Sequence, residues 1–203
     1  MFIIGLTGGI ATGKSTVVEM LRQRGAFIID ADQLAREVVE PNQPAWQEIV
    51  SWLGDSVLLP DQSLNRVKIA ELVFGDQQKL KILNAIIHPR VGTRILELTR
   101  EIEQAVPGAV IVYDIPLLIE AGMQEMVDLI LLVYAPRELQ FKRLRERDGL
   151  NPEEAEQRLA AQLPIDEKKR SAHQVIDNSG LLAETERQVD RFWFNLEPVK
   201  KKI

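Results

Sequence analysis

Residues Gly8-Gly9-Ile10-Ala11-Thr12-Gly13-Lys14-Ser15 read G-x-x-x-x-G-K-[ST], directly after the apolar run Phe2–Leu6 and directly before a segment that carries Val17, Val18 and Leu21 at helical spacing. The pattern needs that setting, because its chemistry comes from a strand that stops, a turn of backbone N–H groups aimed at one point, and a helix N-terminus that adds its own partial positive charge. Such a loop holds phosphate oxygens. Lys14 supplies a mobile cation for β- and γ-phosphates, the Ser15 hydroxyl suits Mg²⁺, and Thr16 falls near an α-phosphate. A chance match somewhere in a chain of this length arises on the order of 1 per cent of the time, and the strand and helix around it lower that further. Ile10 stands where a dinucleotide fingerprint would place its second glycine, which sets that reading aside.

The rest of the chain fits the α/β class that the loop demands. Apolar runs predict strands over 2–6, 26–30, 110–113, 129–134 and 174–176, separated by amphipathic segments, the pattern of a parallel sheet covered on both faces. The first helix is predicted to start near Lys14 and to end at Gly25. The expected organisation is one domain: a core over about 1–30, 105–136 and 171–203, a helical insertion over 31–104, and a lid over 137–170. In the lid, Asn151-Pro152-Glu153 supplies an N-cap, a proline at the first helical position and an acidic first turn, and two polar helices are expected. A closing helix over 181–196 offers Leu182, Val189, Phe192 and Trp193 for packing, with Lys200-Lys201-Lys202 as a frayed end.

The 25 Lys and Arg against 30 Asp and Glu give a formal charge of -5, which disfavours nucleic acid as a partner, so any bound anion must be held locally. The absence of cysteine excludes disulfides, thiol nucleophiles and cysteine metal sites. No apolar stretch approaches the roughly 18 residues of a membrane span, and no export signal is recognised, so the expected compartment is cytoplasmic and no membrane partner is expected.

Phosphoryl transfer to a hydroxyl needs a carboxylate to orient the attacking oxygen and accept its proton. Asp30-Ala31-Asp32 follows the second strand, at the sheet edge where open α/β folds bind ligands, and Asp32 is the candidate base. The alternative for Asp32 is an N-cap for a helix beginning at Gln33. Val110-Ile111-Val112-Tyr113-Asp114 resembles a strand whose terminal carboxylate reaches Mg²⁺; the alternative for Asp114 is a plain strand end. Lys142, Arg143, Arg145, Arg147 and Arg158 concentrate positive charge, and Arg143 and Arg147 share a helix face four residues apart. They read either as a lid that neutralises the transferring group or as a solvated face paired with Glu138, Glu146, Glu153, Glu154 and Glu156. His88-Pro89 reads as structural, the proline stopping a helix and the imidazole bracing the turn. Trp46, Trp52 and Phe74 read as core of the insertion, with an adenine wall as the alternative. A guanine-reading Asn-Lys-x-Asp motif and a transporter Leu-Ser-Gly-Gly-Gln signature are both absent from the sequence.

Taken in order, Leu6 through Thr16, Asp30-Ala31-Asp32 with Leu34-Ala35-Arg36, His88-Pro89, Pro116-Leu117-Leu118 with Glu120, Arg143 with Arg147-Asp148, and Val175-Ile176-Asp177-Asn178 resemble the dephospho-CoA kinase family over nearly the whole chain. The resemblance implies a P-loop NTPase-like five-stranded parallel sheet flanked by helices, with helical CoA-binding and lid subdomains. It also implies ATP-dependent phosphorylation of the 3′-hydroxyl of dephospho-CoA, the last step of coenzyme A synthesis, with Mg²⁺ as cofactor and ATP and dephospho-CoA as partners. On it, Asp32 becomes the catalytic base with Lys14 and Arg143 as catalytic cations, and Asp30 a supporting or metal-linked group beside Ser15 and Asp114. Gly8 to Thr16, Arg147, Asn178 and Gly180 become ATP contacts. Thr7, Arg36, Pro116, Leu117 and Leu118 fall on the acceptor side. Two departures stand out: Ala11-Thr12 replaces the family's common Gly-Ser, which matters if Ala11 needs a positive φ, and His173 replaces an acidic residue. Other small-molecule kinases and nucleotide switches are the competing classes.

Overall fold

The computed structural model describes residues 1–73 and 75–200; Phe74, Lys201, Lys202 and Ile203, and the side chains of residues 197–200, lie outside them. The chain divides into two compact units, Met1–Ile29 with Ile102–Ile203, and Asp30–Glu101.

The first unit is built on a sheet of β1 (Phe2–Gly8), β2 (Phe27–Asp30), β3 (Val110–Asp114), β4 (Leu129–Tyr134) and β5 (Gln174–Asp177), in the order β2-β3-β1-β4-β5. The sheet is parallel, so β1, β3 and β4 end along one edge, with Leu6 opposite Asp114 and Gly8 opposite Val133. The central strands are apolar on both sides because helices cover both faces: Ile111, Val112, Leu131, Leu132 and Val133 are wholly buried. The helix α1 (Lys14–Gln23) packs Val17 and Leu21 against this sheet, and Gly25, at φ +94°, turns the chain back into β2 as predicted. The closing helix α9 (Leu182–Lys200) adds Val189, Phe192 and Leu196. Leu182 is a correction: it is 61% exposed, because the inward stripe at spacings of four, three and four begins at Thr185.

Residues 137–171 hold three helices where two were expected: α6 (Arg137–Asp148), α7 (Pro152–Ala160) and α8 (Ile165–Ser171). Asn151 caps α7 in a capping box with Glu154, each side chain bonded to the other's backbone N–H at 2.9 Å. Leu144, Ala155 and Leu159 form a small core of their own that packs against Ile10 and Ala11.

The second unit contains α2 (Ala31–Glu37), α3 (Pro44–Leu53), α4 (Arg66–Val73) and most of α5 (Gln77–Ala105) around Ala45, Ile49, Val57, Ile69 and Ile86. Trp46 and Trp52 pack on this core, as expected, and Trp46 Nε1 donates to the Gln62 carbonyl at 2.8 Å. Pro89 overturns its reading as a helix stop, since α5 runs straight through it. Pro89 leaves the carbonyl of Ala85 without its ladder N–H, and one residue on, the Arg90 guanidinium donates Nη1 to the Ile86 carbonyl at 2.6 Å and Nη2 to Glu48 at 2.5 Å. His88 is exposed on this helix and braces no turn.

Candidate active site

Gly8 leaves the sheet at its carboxyl edge, and α1 begins six residues later at Lys14. Between them, Thr12 closes a turn by donating both its N–H (3.2 Å) and its Oγ1 (2.9 Å) to the Gly9 carbonyl. Ala11 adopts φ +59°, a left-handed conformation that costs an L-residue about 1–2 kcal/mol and that glycine would adopt freely. The departure seen in the sequence is therefore real strain. Gly13 has two reasons to be glycine: φ is +84°, and a Cβ there would overlap the Asn178 amide nitrogen.

Parallel pairing brings the end of β3 beside the end of β1, and Lys14 Nζ donates to Asp114 Oδ1 in an ion pair whose carboxylate is almost wholly buried. Ser15 is exposed at the start of α1, while Thr16 donates its N–H back to the Gly13 carbonyl at 3.0 Å.

Asn178 reaches the backbone of the loop. Its Nδ2 donates to the Thr12 carbonyl at 2.8 Å, and the buried Thr185 hydroxyl donates to its Oδ1 at 2.8 Å, which fixes the end of the carboxamide that faces the loop. Gly180 instead lines a surface cavity with Asp177, Ser179, Glu184 and Gln188. Arg143 donates Nη2 to the Asn178 carbonyl at 2.9 Å, and its Nη1 is buried with no hydrogen-bond partner among the described residues.

Arg147 parts company with Arg143 despite the four-residue spacing. It bonds Asp148 at 2.7 and 3.0 Å, and Arg158 joins the same carboxylate at 2.9 Å, so Arg147 lies in an exposed charge cluster. The hydrogen bond from Arg147, helped by Arg158, holds the Asp148 carboxyl below its ordinary value. Arg137 with Glu156 and Lys142 with Glu146 complete the solvated pairing that was the alternative for these arginines.

On the acceptor side, Thr7 and Leu118 lie beneath the surface. Thr7 is wholly buried and donates Oγ1 to the Pro116 carbonyl at 2.9 Å. Leu118 is equally buried and packs on Gly5, where any Cβ would meet its Cδ1 at 2.5 Å. Both shape the strand edge from below; Leu117, 44% exposed, keeps a free surface. Asp30, not Asp32, is the N-cap of α2, accepting the Gln33 N–H at 3.0 Å. That disposes of the capping alternative for Asp32, which is exposed in the first turn, with Arg36 exposed one turn on.

Four residues around the loop escaped the sequence reading. Gln162 accepts the Ile10 N–H at 2.8 Å, and Gln140, buried, lies so close to Gly9 that a Cβ there would stand 2.6 Å from its Oε1. Lys168 and Thr185 are wholly buried. The one advance signal was phase: Lys168 lies three residues from Ile165, the other buried residue of α8. His173, the second departure, extends the pairing of β4 and β5: it accepts the Ile130 N–H on Nδ1 at 2.9 Å and returns its own N–H to the Ile130 carbonyl at 3.0 Å.

A sheet edge with a pinned phosphate loop, a Lys14–Asp114 pair and a half-buried arginine agrees with what comparison with known proteins finds. The family model described as dephospho-CoA kinase matches residues 2–184. The chain belongs to the dephospho-CoA kinase family. As a member it is a kinase that phosphorylates dephospho-CoA with ATP in coenzyme A biosynthesis. A dephospho-CoA kinase from Geobacter metallireducens is 50% identical, covering 95% of this chain and 96% of its own. Among solved structures, a protein from Thermus thermophilus superposes with a TM-score of 0.81 at 35% identity, over 96% of this chain and 97% of that one. A dephospho-CoA kinase from Campylobacter jejuni gives 0.66 at 27%, over 96% of both. The fold is therefore that of the P-loop kinases.

Proposed function

We propose that the γ-phosphoryl group of ATP passes in line to the 3′-hydroxyl of dephospho-CoA, with Asp32 accepting the hydroxyl proton and no phosphoenzyme formed. The observation that carries this reading is the loop from Gly8 to Ser15, whose backbone is fixed by buried side chains while Lys14 stays tied only to Asp114. A loop held this way offers its N–H groups without reorganisation when phosphate arrives, which is the main electrostatic source of rate in phosphoryl transfer. Lys14 then exchanges its carboxylate for phosphate oxygens. Arg143 Nη1, buried and without a partner, gains one from the same anion, which removes the cost of leaving a cationic donor unsatisfied.

The donor set suits Mg²⁺. Ser15 and Asp114 offer one hydroxyl and one carboxylate, and among the described residues no three carboxylate or imidazole groups gather as an all-protein metal cage would need. Mg²⁺ keeps waters and substrate phosphates among its ligands, so two protein oxygens are enough, and when bound it neutralises charge on the β- and γ-oxygens. Asp30 is given the cap of α2 rather than a metal contact. Arg36 and Leu117 are assigned to the acceptor, and Gly180 to the nucleotide. No helix among the described residues is long and apolar enough to cross a membrane, and the proposed compartment is the cytoplasm.

The test is ADP release with dephospho-CoA, shikimate, a nucleoside monophosphate or no acceptor, with the product's phosphate located by ³¹P NMR. Release only with dephospho-CoA, and a 3′-phosphate in the product, is expected. A 2′-phosphate, or equal turnover without an acceptor, contradicts the reading.

A further inference from the structure

Lys168 is the only lysine found among the buried polar side chains of the described residues, and its ammonium is met by three oxygens: Glu120 Oε1 at 2.7 Å, the Pro116 carbonyl at 3.0 Å and the Gly8 carbonyl at 3.5 Å. Burying an ammonium costs several kcal/mol in practice, and a single carboxylate repays that poorly, so the geometry of all three acceptors matters. Each acceptor belongs to a different part of the site. Gly8 is the last residue of β1, where the phosphate loop departs, and Pro116 opens the turn after β3 and also accepts the Thr7 hydroxyl. Glu120 reaches the connection between α7 and α8, where it accepts the Leu163 N–H at 3.2 Å. The neighbouring Gln162 holds the Ile10 N–H of the loop itself.

We propose that Lys168 and Glu120 form a positioning pair that sets the Gly8–Ala11 half of the phosphate loop for nucleotide binding and transfer. The ammonium fixes where the loop leaves β1. The carboxylate fixes the linker that carries Gln162, and Gln162 fixes the first N–H of the turn. Neither residue touches substrate. The proposal rests on the reading that this loop holds ATP phosphates, and it concerns only how that loop is held.

A merely structural pair and a positioning pair predict different outcomes when the charges are replaced together. Removing one partner leaves a buried charge uncompensated, whereas replacing both by apolar residues of similar volume is often neutral or stabilising. The experiment compares Lys168→Met, Glu120→Gln and the double variant Lys168→Met with Glu120→Leu by thermal melting and steady-state kinetics, varying ATP and dephospho-CoA separately. The double variant is expected to recover most of the melting temperature lost in Glu120→Gln, which strands the buried Lys168 ammonium, yet to keep a kcat/KM for ATP reduced by about 10- to 100-fold, since a loop displaced by about 1 Å loses that much rate. The KM for dephospho-CoA is expected to stay within about twofold of wild type.

Recovery of kcat/KM together with stability overturns the proposal, as does a folded Lys168→Met with wild-type constants. Should both lysine variants fail to fold, Glu120→Gln decides: an unchanged kcat/KM for ATP overturns the proposal, and a selective loss on ATP supports it. Lys14→Ala in the same titrations separates this from the underlying reading. If Lys14→Ala binds and uses ATP normally, the loop is not the phosphate site, whatever Lys168 does.

Discussion

Gly8–Thr16 and Asp30–Arg36 each follow a strand, and each carries residues assigned to the reacting groups, yet they are stabilised in opposite ways. In the phosphate loop, Thr12, Asn178, Gln162 and Lys168 bond its backbone, mostly from buried positions, and Thr185 holds the Asn178 carboxamide in place. The acceptor segment is a seven-residue helix with one side-chain cap and one buried side chain, Leu34, and it leaves Asp32 and Arg36 in solvent. The difference follows from what each must recognise. A triphosphate is read by many weak backbone dipoles, which act together only when they are held rigid, whereas a single carboxylate needs only to reach one hydroxyl proton.

The sharpest way to break this contrast is to remove the one loop cation that is free to change partners. Lys14→Ala is expected to lower kcat/KM by about 10³-fold in steady-state assays, the scale seen when an oriented charge-stabilising donor is lost. Retention of a tenth of wild-type activity would show that backbone N–H groups suffice. Asn178→Ala tests the rigid scaffold: with the Thr12 carbonyl and the Thr185 hydroxyl stripped of a buried partner, unfolding free energy in denaturant titrations should fall by about 1–3 kcal/mol, with ATP binding weakened alongside. Stability unchanged would mean that the loop does not depend on β5 and α9. Ala11→Gly works in the other direction. Relief of φ +59° should raise stability by about 1 kcal/mol, less the extra entropy glycine brings to the unfolded chain, and a lower denaturation midpoint would refute the strain.

The smallest effect belongs to the exposed charge cluster. Arg147 holds the Asp148 carboxyl below the ordinary carboxylate value, so the fold binds that proton more weakly than the unfolded chain does. The resulting stabilisation is fully present above the unfolded value of about 3.9 and disappears as pH falls through the lower folded one. The melting-temperature gap between wild type and Asp148→Asn should therefore be slight at neutral pH and close towards about pH 3.

These contrasts also account for which parts of the molecule could be read in advance. All five strands and the start of α1 were legible because apolar runs and a glycine turn are local signals, and β4 was placed to the residue. Asn151 was legible for the same reason. Lys168 sits in Asp166-Glu167-Lys168-Lys169-Arg170, a run that looks like a solvated face; its burial depends on carbonyls 52 and 160 residues away in sequence. Thr7 and Leu118 lie in motifs that pointed to substrate, but Thr7 sits in a β-strand buried on both faces and Leu118 packs into the space left by Gly5, so both side chains are in the core. Pro89 misled because local propensity penalises proline inside a helix, whereas the tertiary packing of Ile86, Val91 and Ile95 carries α5 through it. Arg143 and Arg147 share a spacing but not an environment, since Asp148 competes for one and the Asn178 carbonyl for the other.

Asp32→Asn, assayed for turnover with dephospho-CoA while ATP affinity is followed by calorimetry, tests the division of labour between the two segments most directly. The account predicts that kcat falls by about 10²- to 10⁴-fold while ATP binds as in wild type. Turnover near the wild-type rate, or a loss of ATP binding that matches the loss of turnover, would contradict the assignment of Asp32 as the base.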